Sequence, residues 1–176
     1  MVGFTLTPIT RADAQAISRW RYDGPYAVYN GNPASVVSLL QPRYLYHSVH
    51  DDHGELVGYF CFGEDARVSA GRRPGLYERE DALDVGLGMR PDLTGRGLGE
   101  QFVRAGLQFA EETYSPPAFR LTVATFNRRA IRVYERAGFE GVETFGATRL
   151  NGESEWLLMR RARLTSQAEE VGGQDT

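Results

Sequence analysis

The sequence predicts an α/β domain that combines a parallel strand pair with antiparallel hairpins, and three observations carry that prediction. A strand, helix, strand, helix succession occupies residues 82–138, which requires a crossover between two parallel strands. The stretch "YLYHSVHDDHGELVGYFCFGE" reads as two strands joined by a polar turn at Asp51 to Glu55. Two more strands in "FEGVETFGATRLNGESEWLLMRR" flank Asn151-Gly152, the dipeptide best suited to a two-residue hairpin turn.

Taken in order, "FTLTPIT" alternates as a strand. "TRADAQAISRWRY" follows as a helix, with Thr10 as its cap, Asp13 three residues on as in a short capping box, and Ala14, Ile17 and Trp20 as an apolar stripe. Gly24-Pro25 and Gly31 break the chain before a short helix around Ala34 to Leu40, leaving Tyr22, Tyr26 and Tyr29 between the helices. After the first hairpin, residues 65–81 are polar and contain "GRRPG", which makes them a loop. "ALDVGLGMRP" returns to a strand ended by Pro91, and residues 97–114 are helical, with Leu98, Phe102, Ala105 and Phe109 on one side. Pro116-Pro117 precede the strand "FRLTVAT", and "NRRAIRVYERAGF" is a helix capped by Asn127 and stopped by Gly138. No repeat or linker marks a boundary. One domain is therefore expected over residues 1–163, followed by a polar tail, 164–176, expected to be disordered.

A chain of 176 residues can bury one substantial core without disulfides or a structural metal. With 41% hydrophobic and 24% charged residues, a net charge of -3 and a pI near 5.7, it lacks the footprint of a nucleic-acid binder or a basic membrane surface. A small or nucleotide-like ligand suits it better. Cys61 is the single cysteine, which excludes an intrachain disulfide, and its flanks "GYFCFGE" favour a buried structural thiol over a reactive one. His47, His50 and His53 flank the hairpin turn without ligand spacing or a companion cysteine, so no metal site is expected. No apolar run approaches the ~20 residues that span a bilayer, and the N-terminus has no basic targeting region. A soluble, cytoplasmic protein with no membrane partner is expected.

"RPDLTGRGLGEQF" sets Gly95, Gly97 and Gly99 around Arg96 immediately before a helix. A helix start offers unpaired N–H groups and the positive end of the dipole, and glycines let a ligand approach the backbone. The turn can thus wrap a pyrophosphate, with Arg96 adding charge; the alternative is a turn that only joins strand to helix. The Walker loop is absent because no Gly-Lys pair occurs, and the G-x-G-x-x-G dinucleotide fingerprint is absent because the glycines alternate.

The context narrows this. "LGMRPDLTGRGLGEQFV" resembles the central motif of the GNAT superfamily of acyl-CoA-dependent N-acetyltransferases, in which a strand is followed by [RQ]-x-x-G-x-[GA] and a helix, with Thr94, Gly97 and Gly99 at the three marked positions. "FNRRAIRVYERAGFEGV" resembles that family's next motif at Asn127, Ala130, Tyr134, Gly138 and Phe139. The resemblance spans roughly residues 3–162. Thr94 departs from the family, which usually has Arg or Gln there. The resemblance implies a mixed, strongly twisted sheet with splayed central parallel strands and flanking helices. It also implies acetyl-CoA as cosubstrate, its pantetheine arm pairing with the backbone of Leu87, Gly88 and Met89. The pyrophosphate is then expected on Thr94, Gly95, Arg96, Gly97, Leu98, Gly99 and Glu100, with Asn127 and Tyr134 also facing the cofactor.

Amide formation from a thioester needs a neutral amine, a stabilised oxyanion and a proton for the departing thiolate. Tyr134 lies seven residues after Asn127, which at about 100° per residue returns to nearly the same helix face. It is the expected proton donor, the other reading being a core tyrosine beside Ile131. In "DVGLGM" the side chains of Asp84, Gly86 and Gly88 share one face, a bare groove beneath one carboxylate. Asp84 is the candidate base or water relay, with Glu78, Glu80 and Asp81 as rivals; it is alternatively a salt-bridge partner, since an unshifted Asp near ~3.9 is a poor base. Trp20, Tyr22, Tyr26 and Tyr29 are either an aromatic wall for the substrate or scattered aromatics. The acidic residues Glu64, Asp65, Glu78, Glu80 and Asp81 favour a cationic amine, but Arg67, Arg72, Arg73 and Arg79 interleave with them. The expected acceptor is a primary amine of a small molecule or peptide. The rival function is a non-catalytic acyl-CoA-binding sensor or partner-binding module, and a weaker one a nucleotide-binding domain. An exposed edge in the final hairpin would permit a homodimer.

Overall fold

The computed structural model of the chain describes residues 3–71, 75–146 and 155–163. Strand β1 (Phe4–Pro8) leads into helix α1 (Arg11–Ile17). Thr10 caps it as expected: its hydroxyl oxygen accepts the Asp13 N–H at 3.1 Å and donates to the Asp13 carboxylate at 2.8 Å. α1 ends at Ile17, short of the Tyr22 that periodicity predicts. The Ser18 hydroxyl donates to the Gln15 carbonyl, and the Arg19 and Trp20 N–H groups tighten onto Ala16 and Ile17, so the last turn winds into 3₁₀ geometry. Arg21 then donates to the carbonyls of Trp20 and Gly31, at 2.8 and 3.0 Å, closing the base of the arm that follows. The arm contains a 3₁₀ helix, Gly24–Tyr29, and leads to the short α2 (Val36–Leu39).

β2 (His47–Asp51) and β3 (Leu56–Phe62) form the first hairpin, where Asp51 Oδ1 accepts the N–H groups of His53 and Glu55, each at 2.9 Å. β4 (Leu83–Met89), α3 (Gly99–Tyr114), β5 (Ala118–Ala124) and α4 (Arg128–Arg136) make the expected crossover, with β4 and β5 parallel. α3 stops where Ser115 turns left-handed, ahead of Pro116-Pro117. β6 (Glu140–Phe145) and β7 (Trp156–Ala162) are antiparallel. The expected Asn151-Gly152 turn and the tail 164–176 lie outside the described residues.

The strands form one mixed sheet in the order β1-β2-β3-β4-β5-β7-β6. On one face, α3 and α4 pack a core that includes Phe60, Phe62, Phe102, Leu107, Phe119 and Met159. Tyr59 alternates to the opposite face, where α1 and α2 gather Ala14, Ile17 and Leu39 with Trp20 against them.

The central strands part company almost at once. β4 and β5 pair only at Leu83–Phe119 and Asp84–Arg120. On its other side β4 stays in unbroken register with β3; the Gly63 N–H donates to the Asp84 carbonyl at one end and the Arg90 N–H to the Val57 carbonyl at the other, both at 2.8 Å. Antiparallel alternation therefore turns the backbone groups of Gly86 and Gly88 towards β3 and those of Leu87 and Met89 into the gap.

Candidate active site

A cavity of about 570 Å³ opens where β4 and β5 splay. It is lined by Gly86 to Met89, by the turn residues Thr94, Gly95, Gly97, Gly99 and Glu100, and by Asn127, Arg129, Tyr134 and Arg136 around α4. Tyr22, Tyr26 and Tyr29 of the arm complete it.

The turn holds Gly95 at φ 75° and Gly97 at φ 80°, the left-handed region that side chains resist. Apart from Gly97 itself and its two chain neighbours, no described atom lies within 4 Å of where a Gly97 Cβ would stand. Leu98, the residue before α3, makes no side-chain cap, so the start of this 16-residue helix is not closed by its own cap residue. Arg129 brings a cation to this end, its Nη1 3.2 Å from the position of a Gly95 Cβ; Arg96 is exposed and outside the lining, and the half-buried Leu98 lies outside it too. Glu100 lines the same end, and its carboxylate accepts from Arg104 at 3.1 Å, which offsets a charge that would repel an anion. Thr94 spends its hydroxyl proton on the Pro91 carbonyl at 2.8 Å, holding the turn that leads in. An open strand edge beside an uncapped helix start fits an extended, amide-bearing arm that ends in phosphates.

Asn127 caps α4, its Oδ1 accepting the Ala130 N–H at 3.2 Å, while its Nδ2 donates to the Tyr29 hydroxyl at 3.4 Å. The half-buried Tyr134 packs edge-on against Phe139, and its hydroxyl makes no hydrogen bond among the described residues. Burial, and then the neighbouring Tyr29, push its phenol above the ordinary value of 10, so it carries its proton at neutral pH.

Asp84 stands apart from this group. It is 3% exposed and outside the cavity lining; Arg120 grips both oxygens, Nε to Oδ1 at 2.6 Å and Nη2 to Oδ2 at 2.8 Å, and Arg67 Nε adds a contact to Oδ2 at 2.7 Å. Of the two readings open for this carboxylate, the geometry is that of the salt-bridge partner. The groove over Gly86 and Gly88 is not bare either. The Tyr59 ring stands against Gly88 in the space a Cβ would take, and Cys61 Sγ lies 2.6 Å from the corresponding point at Gly86. Cys61 is buried, which pushes its thiol up to about 12.

The arm spans the gap. Tyr22 donates from its hydroxyl to the Met89 carbonyl at 2.8 Å on the β4 side. On the α4 side Tyr26 and Tyr29 pack against Phe126, with centroids 5.9 and 6.2 Å away, and the Arg129 guanidinium sits 4.4 Å over Tyr26. Trp20, the fourth member of the expected wall, packs instead on Tyr59 at 6.2 Å. Arg129 and Arg136 were absent from the candidates, although Arg129, Val133 and Arg136 recur at helical spacing on one face of α4. Tyr59 was missed because its place over Gly88 follows from the β3–β4 register, which no local pattern announces.

A parallel strand pair that parts beside a glycine turn at a helix start suits a strand-like, phosphate-bearing ligand. The chain matches the Acetyltransferase (GNAT) domain over residues 4–140, and it belongs to the GNAT acetyltransferase family. A mycothiol acetyltransferase of Streptomyces coelicolor is 45% identical over 92 residues, covering 52% of this chain and 26% of that protein. The matched stretch thus spans about a quarter of that relative's length. Among solved structures, a spermidine N-acetyltransferase chimera from Vibrio cholerae and hSSAT aligns with a TM-score of 0.67 at 16% identity, over 90% of this chain and 95% of that one. An aminoglycoside acetyltransferase in complex with coenzyme A aligns at 0.66 and 20% identity, over 92% and 95%, and a GNAT-family acetyltransferase from Bacillus anthracis at 0.67 and 14%, over 90% and 94%. These likenesses establish a shared fold.

Proposed function

We propose that the protein transfers an acetyl group from acetyl-CoA to a primary amine of a small molecule or peptide, by direct attack of the amine on the thioester. The observation that carries this reading is the convergence on one cavity of an open β4 edge, an uncapped glycine turn and a phenol with a free proton. Acetyl-CoA, when bound, supplies an acyl carbon activated by sulfur. Leu87 and Met89 offer the backbone groups that orient the pantetheine arm, and the amides from Gly95 to Glu100, with Arg129, hold the pyrophosphate. Gly88 contributes by having no side chain beside the Tyr59 ring. Tyr134 gives its proton to the departing sulfur as the C–S bond breaks. With Asp84 held by two arginines, solvent in the cavity takes the proton of the acceptor ammonium and then the N–H proton shed as the C–N bond forms, and returns one proton to Tyr134.

Release of free thiol from acetyl-CoA over a panel of polyamines, aminoglycosides, amino acids and peptides tests the reading, with the signal of Cys61 subtracted. Amine-stimulated release is the expected result; binding of acetyl-CoA without release under any amine would instead make the protein a binding module. Gly97→Ala is expected to add about 1–2 kcal/mol of backbone strain, because φ 80° puts Cβ against the following carbonyl. The same methyl occupies the open space over the turn, so affinity for acetyl-CoA should fall by about tenfold or more, read by calorimetry. Unchanged affinity would remove the turn from the site.

A further inference from the structure

The acidic loop residues separate once their partners are known. Asp81 binds Arg160 at 3.0 Å and Arg79 at 2.9 Å, and Arg67 turns inward to Asp84. Of the five acids around the loop, Asp65 is the one that lines the cavity. Its Oδ2 accepts a hydrogen bond from the Tyr46 hydroxyl at 2.6 Å, and no arginine among the described residues pairs with it. The carboxylate is thus oriented by a neutral donor rather than by a cation. Tyr46 brings its ring to the same place, and Tyr59 packs 6.0 Å from it along the cavity wall. Carboxylate and ring faces together suit an organic cation. The arginines of the cavity, Arg129 and Arg136, belong to α4, so the lining carries opposite charges on different elements.

Asp65 is also tied to the reacting edge. Its neighbour Ala66 comes within 3.3 Å of the Cβ position of Gly86, and Gly88 follows two residues along β4. A carboxylate against a nitrogen favours the protonated form, which has no lone pair with which to attack. A nitrogen bound by Asp65 is therefore held, and a different nitrogen must react. We infer that the acceptor is a compact molecule with two amino groups, one docked as an ammonium on Asp65 beside Tyr46, the other presented to the β4 edge near Gly88 and Tyr134. 1,4-Diaminobutane, whose four-carbon spacer sets its nitrogens roughly 6 Å apart, is a compact probe of this class. The inference rests on the acyl-transfer reading and adds its substrate class.

The test compares 1,4-diaminobutane with butylamine, using the full chain and its Asp65→Asn and Asp65→Glu variants, after calorimetry has measured acetyl-CoA binding to each. The wild type is expected to favour the diamine in kcat/KM by about 10–100-fold, chiefly through KM, as one charged hydrogen bond provides. Asp65→Asn should collapse that ratio to within about twofold and Asp65→Glu should restore much of it, since only the latter keeps the charge. Equal use of both amines by the wild type, or a preference that survives Asp65→Asn, overturns the inference. So does tight binding of acetyl-CoA with no transfer to either amine when another amine of the panel is acetylated. Failure to bind acetyl-CoA at all is a separate result, and it overturns the acyl-transfer reading together with the inference built on it.

Discussion

Replacing Arg120 with alanine will destabilise the fold by about 3–5 kcal/mol, the cost of leaving a buried carboxylate without its partner. Arg120 and Asp84 are each 3% exposed, so neither charge can recover its hydration by a small movement. The fork-to-fork contact at 2.6 and 2.8 Å uses both carboxylate oxygens. Arg120 Nη1 also donates to the carbonyls of Leu76 and Arg79, at 3.3 and 3.1 Å, so its loss frees the loop that runs along the sheet. Arg67 would remain on Asp84, but its contact is single and its side chain is 29% exposed, which makes it a weak substitute. Urea unfolding monitored by tryptophan fluorescence reads the change as a lower midpoint at constant slope. Arg120→Lys should lose a smaller part, because it keeps the charge and gives up the fork. The result also bears on chemistry. A loss below about 1 kcal/mol would mean that the pair contributes as little as an exposed one, and Asp84 would return as a candidate base.

The pairing explains which parts of the molecule were legible in the sequence. Features written in neighbouring residues could be read: the Thr10 and Asn127 caps, the Asp51 turn, the crossover from β4 through α3 to β5, and the α/β class itself all depend on spacings within one or two elements. Alternation correctly put Asp84, Gly86 and Gly88 on one face of β4. What occupied that face depended on distant segments. Arg120 is 36 residues away from Asp84, and Tyr59 and Cys61 reach Gly88 and Gly86 through strand register. The early end of α1 was hidden for a related reason. Trp20 continues the apolar stripe, yet it reaches the small core after the helix has ended, through a turn set by the Ser18 hydroxyl and closed by Arg21. The order β5-β7-β6 was equally closed to local reading, since a hairpin pattern does not say which of its strands meets the sheet.

Replacing Tyr134 with phenylalanine is expected to lower kcat by about 10²-fold, at the low end of the usual range for removing a positioned acid. The low end applies because a thiol of pKa ~8.5 is already a fair leaving group and needs its proton less than an alkoxide would. The substitution removes one oxygen and leaves the ring against Phe139, so folding and acetyl-CoA affinity should change little. A hydroxyl with no hydrogen-bond partner among the described residues leaves no orphaned group behind when it goes. KM for the amine should hold while kcat falls, which separates a lost transition-state contact from a lost binding contact. The pH dependence provides a second readout. Burial raises the folded-state pKa of Tyr134 above 10, so the protonated, donating form persists as pH rises through the value an exposed tyrosine would show. No alkaline fall in kcat attributable to Tyr134 should therefore occur below about pH 10, and wild type and Tyr134→Phe should keep parallel profiles up to that point. An alkaline limb that begins below pH 10 in the wild type and vanishes in the variant would contradict the buried, protonated donor. A kcat within about twofold of wild type would return Tyr134 to the core and leave the departing sulfur to be protonated by water.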